Sequence, residues 1–257
     1  MPKLYSKNAL RKIAGLCLKS ADVLMASGAE TARVETTVNH IGRACKVHVE
    51  SYATPTGITV TVGDDRTITI VTRVRNRTID LDKVVAINNI SRNLATGKIA
   101  FQTADKAVDE VIRRPRLYSD TIIYIFQAIC CAGFALLIDG HLASIVPALL
   151  VGLLATYMAE KCSTLPPFLM VFLNALAVTV FADACMFFDL GITHKAIVIA
   201  GMVPLLPGLS LTNAIADLMA GELLAGIART TDSMLVAAAL AAGAAVGISL
   251  GQFLPWM

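Results

Sequence analysis

Several signatures of chemistry are missing from these 257 residues. No G-x-x-x-x-G-K-[ST] run is present, which excludes a Walker-type nucleotide pump within this chain. His40 and His48 have no H-E-x-x-H context and no clustered carboxylates, so no metal site and no cofactor are expected. The six cysteines (Cys17, Cys45, Cys130, Cys131, Cys162 and Cys185) show no C-x-x-C spacing, and several lie in apolar runs, so buried reduced thiols are expected. Positive charge is scarce beyond Tyr118, where only Lys161, Lys195 and Arg229 remain of 22 Lys and Arg residues. The basic excess before that point lacks interleaved aromatics and concentrates next to the apolar half. That excludes a nucleic-acid partner and favours attraction to the anionic inner leaflet of a membrane.

What is present is apolar. The hydrophobic set makes up 56% of the chain and the mean hydropathy is +0.67, values of a membrane protein. Residues 1–118 carry a net +8 and the remainder −5. Two regions therefore meet near Pro115. The first ~118 residues hold no uninterrupted apolar segment of the kind a signal peptide needs, so this part is expected to stay in the cytoplasm.

Asn8 to Met25 repeats apolar residues at Leu10, Ile13, Cys17, Ala21 and Leu24, one face of an amphipathic helix. "SGAE" (Ser27 to Glu30) fits a capping box for a second helix marked by Val34, Val38, Ile41 and Cys45. "KVHVESYA" then reads as a strand, "TPTG" (Thr54 to Gly57) as its connection, and "ITVTVGDDRTITIV" (Ile58 to Val71) as a hairpin turning through Gly63 to Arg66. Leu81 to Leu94 and Thr103 to Ile112 read as helices. The expected architecture begins with a small cytoplasmic α+β domain over residues 1–116.

Residues 117–257 are expected to form a five-span transmembrane domain, so the fold class is an α-helical membrane protein. Uncharged or nearly uncharged runs extend over Thr121 to Ile138, Leu142 to Met158, Pro167 to Phe188, Ala196 to Ala216 and Ser233 to Met257. Each approaches the ~20 residues that cross a bilayer. "RRPR" (Arg113 to Arg116) precedes the first run, and Lys161 and Arg229 fall on the same side by parity, with Lys195 opposite. The positive-inside rule then places the amino terminus in the cytoplasm.

The fourth run carries the candidate site. Pro207 and Gly208 interrupt it, Ser210 or Thr212 could cap a new helix, and Asn213 and Asp217 fall four residues apart on one face. A broken helix in lipid needs its freed backbone groups satisfied by protein or a water-lined cavity, and its partly positive start suits a substrate carboxylate. Asp217 becomes a candidate protonatable or ion-binding group. The bland alternative ends the span near Leu209 and leaves Asn213 to Arg229 as an interfacial helix with Asp217 facing water. Small residues at Gly221, Ala225 and Ala228 fit helix contact under either reading.

Asp183, four residues after Thr179, could face the same cavity or sit solvated at its span's outer end. Glu160, Asp139 and Asp189 read as interfacial charges, and Gln127 and Asn174 as helix-to-helix hydrogen bonders. In the amino-terminal domain the candidates are Glu30 and the Thr54, Thr56 and Gly57 positions of "TPTG", which could form a backbone nest for an anion or a plain turn.

Taken together, Pro207-Gly208, Asn213-Ala214, Asp217, Gly221, Gly226-x-Ala228-Arg229, "GAETARVE" (Gly28 to Glu35), "TPTGI" (Thr54 to Ile58) and "TRVRNRTIDLDKVVAINNISRNLATGKI" (Thr72 to Ile99) resemble the threonine/serine exporter family over nearly the whole chain. The resemblance implies ion-driven export of a small carboxylate-bearing metabolite, an amino acid or a dicarboxylate such as succinate, across a bacterial inner membrane. Longer members carry a second membrane module after five spans. Its lack here implies the larger subunit of the split type, whose partner is a short separate integral membrane protein, and a higher oligomer is compatible with that. The rival reading is a membrane-anchored enzyme or metabolite sensor working through the α+β domain, although five spans exceed what an anchor needs.

Overall fold

The computed structural model describes residues 5–63, 67–75, 77–115, 117–187 and 193–251. The chain divides into two compact units, one of Met1–Pro115 with Gly208–Thr231, the other of Arg116–Pro207 with Asp232–Met257.

In the first unit, α1 (Lys7–Ala26) and α2 (Thr31–Ala44) precede a three-stranded antiparallel meander, β1 (Val49–Thr54), β2 (Gly57–Val62) and β3 (Ile68–Arg73), followed by α3 (Leu81–Ala95) and α4 (Phe101–Arg113). The register pairs Val49 with Val62 and Thr54 with Gly57 on one side of β2, and Gly57 with Arg73 and Val62 with Ile68 on the other. Alternation puts Ile58, Val60 and Val62 on one face of β2, where they are buried with Leu16 and Leu24 of α1 and Val34, Val38 and Ile41 of α2. Asp80 caps α3 by accepting from Lys83 N at 3.2 Å. Residues 64–66 of the expected hairpin turn lie outside the described residues.

The expected capping box is not formed. Ser27 closes α1, Glu30 is the N-cap of α2, and the Glu30 side chain makes no capping hydrogen bond. Ser27 cannot serve a helix that starts at Thr31, because Gly28 takes φ +88° and turns the chain between the two helices.

In the second unit, α5 (Asp120–Asp139), a 3-10 turn (Leu142–Ser144), α6 (Ile145–Lys161), α7 (Pro167–Phe187) and α8 (His194–Met202) pack around Cys131, Val151, Val178, Ala182 and Ile197. Close helix approach is bought with small side chains. A Cβ on Gly152 of α6 would lie 2.8 Å from Ala128 Cα of α5, and one on Gly201 of α8 would lie 2.7 Å from a Val178 methyl of α7. Asn174 donates to Ala155 O at 2.7 Å, tying α7 to α6.

After α8 a 3-10 turn (Val203–Leu205) leads to Leu206, which is extended, and Pro207, and α9 (Gly208–Met219) and α10 (Leu223–Gly251) follow. Pro207 offers no N–H for a continued helix and pushes Leu206 out of the helical region. Among the described residues four helices are long and apolar enough to cross a membrane, or five spans if the pair broken at Leu206 and Pro207 counts as one. The last helix starts ten residues before the expected Ser233 and carries Arg229 and Asp232 within its first turns. Among the described cysteines all are free; Cys17, Cys131 and Cys185 are buried, but Cys130 of α5 is exposed rather than packed against protein.

Candidate functional site

The residues after the helix break fold back onto the turn between α1 and α2, all within the first unit. Asn213 and Asp217 share the buried face of α9 because four residues make about one helical turn. Gly221, at φ +87°, ends α9 and lets α10 return alongside it. Gly226 of α10 packs on α9 so closely that a Cβ there would lie 2.5 Å from Leu218 Cγ. This tight hairpin brings Arg229 to Asp217.

Asp217 is completely buried, and both of its oxygens are engaged. Oδ1 accepts from Thr31 N at 2.9 Å, Oδ2 accepts from Thr31 Oγ1 at 3.0 Å, and Arg229 Nε lies 3.0 Å from Oδ2 as an ion pair. Arg229 Nη2 donates to Ala29 O at 2.8 Å and approaches Met25 Sδ at 3.1 Å. Asn213 Nδ2 donates to Gly28 O at 2.8 Å. Asp217 therefore does for α2 what Ser27 and Glu30 do not. It satisfies the free N–H at the first residue of the helix from 186 residues away and sets a negative charge at the positive end of the helix dipole. Asp217 does not face water, as the interfacial-helix alternative required. Ser210 and Thr212 lie inside α9 rather than at its cap, and Thr212 Oγ1 donates to Gly208 O at 2.9 Å.

A second acid belongs to the same neighbourhood. Glu35, on the second turn of α2, accepts from Ala53 N at 3.4 Å. Burial, with Glu222 next and Asp217 after it, raises its pKa, against the hydrogen bond from Ala53. A carboxyl whose folded pKa lies above its unfolded one adds stability below the ordinary Glu value of about 4.3, and that stability is lost as pH rises through the raised value. Glu35→Gln should therefore be no less stable than the native chain at neutral pH. The stability difference between them should shift in favour of Gln as pH rises through that window in thermal melts, and a pH-independent difference would refute the assignment.

The remaining candidates sit elsewhere. Thr54 Oγ1 accepts from Gly57 N at 3.1 Å and donates to Gly57 O at 3.0 Å, closing the tight turn from β1 to β2 with Thr56, whose O accepts from Val74 N. A Cβ on Gly208 would meet nothing within 4 Å. Asp183 belongs to the second unit, near the end of α7, where His194 Nε2 of α8 lies 2.8 Å from Oδ1. Glu160 accepts from Tyr124 Oη at 2.6 Å. Among the described residues no group of three or more His, Cys, Asp or Glu is placed to hold a metal ion.

Sequence reasoning missed Thr31, Arg229 as the partner of Asp217, and His194. The signal for Arg229 was its isolation, since a lone base among apolar residues implies a nearby acid. It also missed the glycines of α10. Gly243, Gly247 and Gly251 recur every four residues and face Phe172 with Ala175, then Thr179, then Asp183 on α7, within the second unit. That spacing alone marks a helix-packing ridge.

Long apolar helices, one of them broken, joined to a helical and three-stranded unit, mark an integral membrane protein. The family model described as "Putative threonine/serine exporter" matches residues 15–251, and the chain belongs to the threonine/serine exporter family. A "Probable threonine/serine exporter" of Mycobacterium tuberculosis is 26% identical over 246 residues, taking in 93% of this chain and 46% of that protein. A "Threonine/serine exporter" of Corynebacterium glutamicum is 22% identical, over 94% of this chain and 52% of that protein. The "Probable succinate transporter subunit YjjP" of Klebsiella aerogenes is 24% identical over 97% of this chain and 98% of its own length. The chain thus spans about half the length of the two exporters and nearly all of the transporter subunit. No solved structure matches it.

Proposed function

We propose that this chain is one subunit of a secondary-active exporter of small carboxylate-bearing metabolites, threonine and serine or a dicarboxylate such as succinate. It works with a second, short integral membrane subunit in a bacterial inner membrane, and an ion gradient drives it. The observation that carries this reading is coverage. The family match extends over residues 15–251, and the relative of equal length is named a transporter subunit, whereas the relatives about twice as long are named as exporters. Positive charge before α5, at Lys161 and at Arg229 supports placing the amino-terminal unit in the cytoplasm.

Within this reading, the start of α9 at Gly208 receives the substrate carboxylate. Asp217, held by Thr31 and Arg229, ties the helix after the break to the α1–α2 turn, so that rearrangement of α9 and of the cytoplasmic helices is one event. Open space around the Gly208 Cα and the full engagement of both Asp217 oxygens support these roles. Asp217→Asn is expected to abolish export while the protein still inserts in the membrane. The check is labelled-substrate efflux from cells expressing both subunits, with membrane content measured by immunoblot, and unimpaired efflux removes Asp217 from the transport cycle.

A further inference from the structure

Asp183 is, like Asp217, a buried carboxylate inside a candidate span, and its surroundings differ from those of Asp217. Its side chain is 3% exposed. Oδ1 is met by His194 Nε2 at 2.8 Å, but Oδ2 is buried with no hydrogen-bond partner among the described residues. Gly251 of α10 lies against that oxygen so closely that a Cβ on residue 251 would collide with it. Thr179, one turn earlier on α7, already spends its hydroxyl proton on Ala175 O at 2.8 Å.

An ionised carboxylate with one oxygen left bare in the interior is expensive, and a bound cation offsets that cost. A metal ion would need several more oxygens around it than the described residues offer. A proton needs one acceptor. The His194 ring provides it: Nε2 lies 2.8 Å from Asp183 Oδ1 yet, like Oδ2, makes no hydrogen bond among the described residues, and the His194 side chain is 28% exposed.

We propose that Asp183 and His194 form a proton-accepting site at the outer end of the helix bundle. This rests on the exporter reading above, with the amino-terminal unit in the cytoplasm, from which span parity puts the end of α7 and the start of α8 outside. Uptake of one proton on the imidazole converts a carboxylate beside a neutral ring into a carboxylate–imidazolium pair, and the charge of the pair goes from −1 to 0. The proton comes from the outer solution and is the ion exchanged for exported substrate. The packed elements bring few other charges. In α10, Ser233 to Gly251 carries none, the charges of α6 lie at its far end at Glu160 and Lys161, α5 ends in Asp139, and Lys195 and His141 are exposed bases of the same unit. Asp189 lies outside the described residues.

The test uses the full chain with its partner subunit in vesicles. In the native pair, export of the transported substrate should change with external pH. Asp183→Asn, His194→Gln and the double variant should each flatten that dependence, with the double no worse than either single because the two residues act as one unit. Export that keeps its native pH profile in the single variants, or that follows sodium instead of pH, overturns the proposal and leaves the exporter reading standing. Absence of export in the native pair overturns the exporter reading instead. A second measurement is independent of transport and of how well the variants insert in cells. In the purified full chain in nanodiscs, the His194 ring resonance, assigned by its loss in His194→Gln, should move at a single fixed pH when Asp183 is replaced by Asn, because the ring then loses its carboxylate neighbour. An unmoved resonance overturns the pairing.

Discussion

Asp217→Ala should lower the stability of the protein by about 3–5 kcal/mol, the cost of leaving a buried guanidinium without its carboxylate. Arg229 is 9% exposed, and its other donor contacts, Ala29 O and Met25 Sδ, are uncharged. The same substitution frees Thr31 N and Thr31 Oγ1, so α2 loses the group that satisfies its first N–H. Arg229→Ala should cost a similar amount. The apolar double variant Asp217→Leu with Arg229→Met should recover much of the loss, because the penalty comes from the orphaned charge rather than from the missing attraction. Recovery should stop short of the native value, since Thr31 N remains without its acceptor. Chemical unfolding of the full chain in detergent compares the native chain, the two single variants and the apolar double variant. Amide exchange at Thr31 should accelerate in every variant lacking Asp217. Additive effects of the two single substitutions would show that the pair is not a unit.

Gly243→Ala is the second large expectation. The Cβ it adds would run into the carbonyl oxygen of Phe172 and come within 3.0 Å of the Ala175 Cβ. Backbone cannot rotate away as the end of a side chain can. Helix α10 must therefore lift from α7, at a cost of about 1–3 kcal/mol for overpacking and more if the neighbouring contacts open with it. Gly247→Val should be worse, since even a Cβ at 247 lies 2.6 Å from Thr179 Cβ. Gly133→Ala, on α5 with nothing within 4 Å of its added Cβ, should be nearly neutral. Thermal inactivation of the purified chain compares the three, and a Gly243→Ala protein as stable as Gly133→Ala would refute the packing.

The periodic parts of this fold are legible in the sequence, because apolar spacing is set by the element itself. The run from Leu10 to Leu24 marks α1, the alternation of Ile58, Val60 and Val62 marks β2, and the uncharged stretches before α8 mark three spans. The Pro207-Gly208 pair likewise announces the break after Leu206, since proline acts on its own local backbone. What is not legible is set by partners distant in sequence. "SGAE" has the composition of a capping box, yet Gly28 turns the chain there and the cap arrives from Asp217. The pairing of Asp217 with Arg229 depends on a tight hairpin at Gly221 and Gly226, and that of Asp183 with His194 on the packing of α7 against α8. The glycines of α10 were visible but unremarked, because a four-residue repeat of glycine in an apolar run reads as composition until the facing helix is known.

The measurement that tests the central claim is efflux of labelled succinate, threonine and serine from cells or vesicles carrying this chain, each with and without a short membrane protein encoded beside it. The account predicts that one of these substrates leaves only when both proteins are present, and that it leaves against its gradient while an ion gradient is maintained. Efflux of none of them in any combination, with the chain correctly inserted, would contradict it and turn attention to the amino-terminal unit as a membrane-anchored sensor or enzyme.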